Sequence, residues 1–150
     1  MSAPAKSSKK LGLFFSLFFT ALILGGTLYA AIASSKEPTV ELADSALVIK
    51  HFYGMRIDRS AIIGVECLTA PVKITGRTFG TAAGSARTGD FNTAEYGIVR
   101  LYIYGNRLDG SQPYTIIFTE NKPIIIAFAD EARTREVYSH INEWLTQHED

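Results

Sequence analysis

The sequence predicts a mainly β fold: a bent antiparallel sheet or partial barrel of six or seven strands, capped by one C-terminal α-helix and preceded by one N-terminal transmembrane helix. Three observations predict it. No residue from Leu11 to Ser35 is charged. Beyond Pro38 the apolar residues recur every second position, in segments rich in Ile, Tyr, Phe, Val and Thr, the types that suit a pleated surface. After Asp130 the period lengthens, and Val137, Ile141 and Trp144 follow at spacings of four and three, the signature of one apolar helix stripe.

The chain of 150 residues has room for one ordinary domain and a short appendage. Residues 1–10 form a basic tail carrying Lys6, Lys9 and Lys10. Residues 11–33, "LGLFFSLFFTALILGGTLYAAIA", are apolar almost throughout, and a helix of about 20 such residues crosses a hydrocarbon core. Tyr29, near its far end, suits the interface, and the preceding lysines place the N-terminus in the cytoplasm and the body outside, in the periplasm of a cell with an inner membrane. The alternative is a cleaved secretory signal. Gly25-Gly26 would break its core, and Ala31-Ile32-Ala33 would precede cleavage before Ser34.

Residues 34–38 read as a polar linker and residues 39–147 as the folded domain. "TVELAD" and "SALVIKHFY" predict two strands joined at Ala43–Ser45, with Leu47, Ile49 and His51 on one side of the second. A turn at Tyr53-Gly54 leads to a short strand and then to another around residues 64–68. In "YGIVRLYIYG" the alternation predicts Val99, Leu101 and Ile103 facing in, and Arg100, Tyr102 and Tyr104 facing out. "QPYTIIFTE" and "KPIIIAFAD" predict two more strands around a tight turn at residues 120–122. Asp130 is the expected N-cap of the final helix, with Glu131 in its first turn, and the last residues, "HED", are expected to fray.

Charge and motifs exclude several classes. Lys6, Lys9 and Lys10 are three of the 15 basic residues and no acid precedes residue 34, so the remainder carries 12 basic and 15 acidic residues, net −3. That balance argues against nucleic-acid binding. The single cysteine, Cys67, forms no internal disulfide and is expected to be a small buried hydrophobe. "GRTFGTAAGSARTGDF" (residues 76–91) invites comparison with a phosphate cradle, but it has no lysine and no Gly-Lys-Ser/Thr end, and a strand rather than a helix follows. His51, His140 and His148 form no ligand spacing, and no nucleophile elbow is present. No metal, cofactor or catalytic role is expected.

The order of strands followed by one helix resembles the pleckstrin-homology pattern. The residues are most similar to the pleckstrin-homology-like domains of small bacterial membrane proteins. "LVIKHFYGMRIDRSAIIGVECL" resembles the opening of those domains. "GRTFGTAAGSARTGDF" resembles their long connection, with Arg77, Gly80, Gly89 and Phe91 matching an Arg-x-x-Gly … Gly-x-Phe skeleton, and "VRLYIY" and "TIIFT" resemble the strands that follow. The resemblance covers residues 41–145. It implies an uncleaved anchor beside the domain and carries no catalytic residues. Its familiar lipid-binding members place a basic cluster between their first two strands, where this chain has "LADSA", which is short and acidic.

The expected function is therefore a membrane-anchored binding module, without catalysis, for a protein or peptide partner or for self-association; the alternative is a cleaved, exported domain holding a small ligand in a barrel mouth. The expected surface is the segment 73–93 with the adjoining strand edge. Arg77 and Arg87 are the candidates for any anion contact, set against a plainer role as solvated loop arginines. Phe91, Tyr102 and Tyr104 complete the candidate binding residues, with cross-strand packing as the competing role of the tyrosines. The length of the 76–91 connection favours either a functional loop or a disordered one.

Overall fold

The computed structural model describes residues 7–34 and 36–147. Residues 1–6 of the basic tail, Ser35 of the linker and the expected frayed residues 148–150 lie outside them. The chain divides into two units, one ending at Ile32 and one beginning at Ala33.

The first unit is the helix α1 (Ser7–Ser34), longer than the expected segment 11–33. Its 22 residues Gly12–Ala33, with mean hydropathy 1.9, are long and apolar enough to cross a membrane. Leu13, Phe14, Phe15, Leu17, Phe19 and Ile23 encircle the axis and are all exposed. Thr20 and Thr27 donate their hydroxyls back to the carbonyls of Ser16 and Ile23 at 2.8 and 3.0 Å, so the polar groups are satisfied within the helix, as an apolar medium requires. A membrane span and a secretory signal share these properties.

The second unit is mainly β and ends in a helix. A three-stranded antiparallel sheet joins β1 (Thr39–Ala43), β2 (Ala46–Lys50) and β3 (Met55–Asp58). A 3₁₀ turn (Arg59–Ala61) leads to β4 (Ile62–Leu68), β5 (Ile74–Ala83), β6 (Ala86–Thr93), β7 (Gly97–Tyr104), β8 (Tyr114–Thr119) and β9 (Ile124–Ala127). These six strands form the second sheet in the order β4-β8-β9-β7-β6-β5. The helix α2 (Glu131–Thr146) follows, its Asp130 cap accepting from Ala132 N–H at 2.9 Å, as the sequence predicts.

Three expectations are corrected. The described residues form nine strands in two sheets, not the six or seven of a single bent sheet, while the mainly β class, the apolar N-terminal helix and the C-terminal helix are as expected. One pairing, β7 with β9, is parallel. The connection 76–91 is not a long loop: all but the turn residues Gly84 and Ser85 lie in β5 and β6, which pair along their length as a hairpin.

The six-stranded sheet is covered on both faces. One face carries Tyr102, Tyr104, Ile117, Ile124, Ile126 and Phe128, which pack with Leu47, Ile49 and Ile57 of the small sheet and with Ile141 and Trp144 of α2. The other carries Val99, Leu101, Ile103, Ile116 and Ile125 with Phe91, closed over by Val72 and Leu108. The alternation of β7 is as predicted, yet both of its faces are core. Tyr102 and Tyr104 are therefore buried rather than outward-facing, because the small sheet covers the side to which they point. Cys67 is half-buried on β4 rather than fully buried, because β4 is an outer strand of its sheet.

Candidate functional site

The most unusual local structure is the β5–β6 hairpin. Gly80 and Gly89 face each other across it with φ of +111° and +123°. A Cβ on Gly80 would stand 2.1 Å from Thr88 O, and one on Gly89 2.4 Å from Phe79 O, so only a pair of glycines permits this approach. The register shifts between Ile74 and Gly76 and again between Arg77 and Phe79, two bulges that bend the strand. Gly84, with φ +56°, opens the two-residue turn at the tip, where a type II′ turn needs glycine. The glycines once comparable to a phosphate cradle instead shape a bent hairpin.

Among the described residues β5 pairs as a strand only with β6 and lies at the end of the sheet. An end strand presents unpaired backbone groups that can accept another strand. Phe79 stands out from it, 56% exposed, and Phe52, on the β2–β3 turn, is 49% exposed. Tyr53 joins the two, with edge-on ring contacts to Phe52 at 5.0 Å and to Phe79 at 5.4 Å. Its hydroxyl also bonds Thr81 Oγ1 at 3.0 Å. The result is an aromatic patch beside an open strand edge, a combination suited to binding.

A polar network lies beneath this patch. Tyr53 N–H donates to His51 Nδ1 at 3.1 Å, which leaves Nε2 of the neutral ring to donate to Tyr104 Oη at 2.7 Å. Tyr104 Oη also bonds Thr88 Oγ1 at 3.1 Å, and Tyr102 O–H donates to Tyr53 O at 2.5 Å. Burial pushes both phenols above the ordinary tyrosine range. The two tyrosines thus hold the β2–β3 turn in place from below, which positions Phe52 and Tyr53.

Asp90 of β6 lies between two cations. Arg100 Nε reaches Asp90 Oδ1 at 2.5 Å and Lys122 Nζ reaches Oδ2 at 2.7 Å, with the Asp90 and Arg100 side chains 15% and 17% exposed. Burial alone would raise the Asp90 carboxyl, but the hydrogen bonds and charges of Lys122 and Arg100 outweigh it and hold the carboxyl below its ordinary value. The cluster ties β6, β7 and the β8–β9 turn together, and all three charges are spent within it.

Two of the clefts on the domain carry arginine side chains without a carboxylate in their lining. One, of about 680 Å³, runs between β4 and the end of α2. Among the described residues that line it only Arg59 ionises, and that guanidinium sits over the Trp144 ring at 4.8 Å and donates to Leu145 O. The other, of about 520 Å³, lies at the hairpin tip between Arg87 and Arg107. No group of three or more His, Cys, Asp or Glu side chains placed to hold a metal occurs among the described residues.

The structure distributes the sequence-predicted site residues over different environments. Arg77 is exposed on the open edge strand, and Arg87 is half-buried on β6. Phe91 is 2% exposed and belongs to the core, as do Tyr102 and Tyr104. Tyr102 and Tyr104 hold the β2–β3 turn from within, while Phe91 packs in the core on the opposite face of the sheet. Phe52, Tyr53, Phe79 and Arg107 were missed. Phe79 stands within the glycine-rich segment and Phe52 beside the Tyr-Gly turn, so an aromatic residue among turn-forming residues was the available signal.

Fold and site together define a two-sheet β domain with a helical cap, an open edge strand and an aromatic patch, in a chain that carries one apolar N-terminal helix. Comparison with protein-family models, curated proteins and solved structures finds no match.

Proposed function

We propose that this chain is a membrane-anchored, non-catalytic module of pleckstrin-homology-like fold that binds an extended segment of a partner protein, or of a second copy, along β5. The observation that carries the proposal is the open β5 edge with Phe79, Tyr53 and Phe52 beside it. Backbone pairing to an edge supplies affinity, and pockets or patches for side chains supply selectivity. The bulges before Phe79 confine such pairing to the outer half of β5. In this reading α1 remains as a single-pass anchor, Lys6, Lys9 and Lys10 lie on the cytoplasmic side, and the domain lies outside.

Two experiments test it. A photo-crosslinking amino acid at Ala82, in the full chain in its native membrane, is expected to give a discrete protein adduct that Phe79→Asp abolishes. An adduct indifferent to that substitution, or none at all, sinks the edge-strand reading. Intact mass of the membrane-extracted chain tests the anchor: a mass that includes residues 1–33 supports it, and a chain beginning at Ser34 replaces it with a cleaved signal.

A further inference from the structure

We propose that the cleft at the hairpin tip binds a phosphate-type oxyanion through Arg87 and Arg107. Gly84, Ser85, Arg87, Gly105, Asn106 and Arg107 line it. It therefore presents two guanidinium groups and no acid. Lys50, Arg56, Arg100, Lys122, Arg133 and Arg135 each have a carboxylate partner; Arg87 and Arg107 have no ion pair among the described residues. Asp109, the nearest acid in sequence to Arg107, does not line the cleft; Ser111 donates its backbone N–H to it at 2.9 Å and its hydroxyl bonds the same oxygen, and these bonds, with a smaller contribution from the nearby Arg107 charge, hold its carboxyl below the ordinary value.

The walls of the cleft are fixed before any ligand arrives. Gly105 N–H donates to Ser85 O at 3.2 Å and joins the tip of the hairpin to the end of β7. Asn106 is buried; its Oδ1 accepts from Leu108 N–H at 2.7 Å and its Nδ2 donates to Pro113 O at 3.0 Å. Leu108 takes φ +56°, a left-handed conformation that a branched residue rarely adopts. It is held there by burial of its side chain and by Val72 N–H donating to its carbonyl at 2.7 Å. Strain retained by so many contacts marks a place where position matters, and here it presents Arg107. On the other wall Ala86 and Thr88 are buried on one face of β6, which sends Arg87 to the opposite face.

A guanidinium is a planar fork of donors matched to oxyanions, and two of them suit a dianion. A preorganised pair gives up little freedom on binding. The net −3 body disfavours extended polyanions, which leaves a small phosphate group, free or on a lipid headgroup.

The test uses the full chain in phosphatidylcholine nanodiscs, followed by nitrogen–proton correlation spectra during titration with inorganic phosphate against sodium chloride of equal ionic strength. Saturable shifts at Ser85, Arg87, Gly105 and Arg107, absent with chloride, are expected. Arg87→Gln and Arg107→Gln should each weaken them about tenfold with the rest of the spectrum unchanged, while Arg77→Gln leaves them intact. Nanodiscs of equal parts phosphatidylcholine and phosphatidylglycerol identify the source. Shifts of the same amides without added phosphate assign a headgroup, and shifts only with free phosphate assign a soluble anion. Shifts that chloride reproduces, or that survive both glutamine variants, overturn the proposal.

Discussion

The central strands β7, β8 and β9 and the outer hairpin β5–β6 belong to one sheet but are stabilised in opposite ways. In the centre, Leu101, Ile103, Ile116, Ile117, Ile125 and Ile126 are fully buried, and each face of the sheet has its own core. Burying one such side chain stabilises by about 1.5–3 kcal/mol. Along β5 no residue is fully buried, and the strand is held by backbone pairing, two facing glycines and Tyr53 from the neighbouring sheet. The centre provides rigidity, while the hairpin provides free backbone and exposed aromatics, which a packed strand cannot offer.

Four substitutions would break or sharpen this contrast, from the largest expected effect to the smallest. Ile125→Ala removes a fully buried side chain between β7 and β8 and should destabilise the domain by about 2–5 kcal/mol in chemical denaturation. A loss within the range of a surface change would mean that the centre is not the core. Gly80→Ala forces a left-handed alanine against Thr88 O and should cost about 1–3 kcal/mol. Hydrogen exchange should show the loss concentrated in β5 and β6; uniform loss would make the hairpin part of the central unit.

The third concerns acid. Asp90 has a folded-state carboxyl below its ordinary value, so the stability it contributes is complete above about pH 4, the unfolded aspartate value, and is lost as pH falls through the lowered folded value. Asp90→Asn should lower stability at neutral pH and flatten the acid limb of the stability–pH curve. An unchanged limb would show that the cluster does not govern acid unfolding. The smallest effect belongs to Phe79→Ala, at an exposed position. Stability should change by no more than about 0.5 kcal/mol while the crosslinked adduct from Ala82 is lost. A large loss of stability would reassign Phe79 from binding to support.

The same contrast explains what was legible in the sequence. The periodicity of "YGIVRLYIYG", the turn after Thr119 and the Asp130 cap each reflect local chemistry, and each recurs in the structure. The hairpin was hidden because an edge strand exposed on both faces has no apolar alternation to read, and its glycines suggest a loop. Alternation also shows that a strand has two faces without showing whether one or both are covered. Packing with the small sheet and α2 decides that Tyr102 and Tyr104 are core. The unbroken run Ile124-Ile125-Ile126 did hold a clue, since a strand buried on both faces, as in parallel pairing, reads as a continuous apolar run. The cleft between Arg87 and Arg107 joins the hairpin tip to the end of another strand, and sequence spacing alone does not bring them together.

Trp144 donates its indole N–H to Ala43 O at 3.0 Å across 101 positions of chain. That contact closes the last helix onto the first strand, and loop closure over such a distance is slow. The domain therefore cannot be completed until nearly all of it has been made. Trp144 is also the chain's single tryptophan, so its fluorescence is a built-in optical report on when this final closure has taken place.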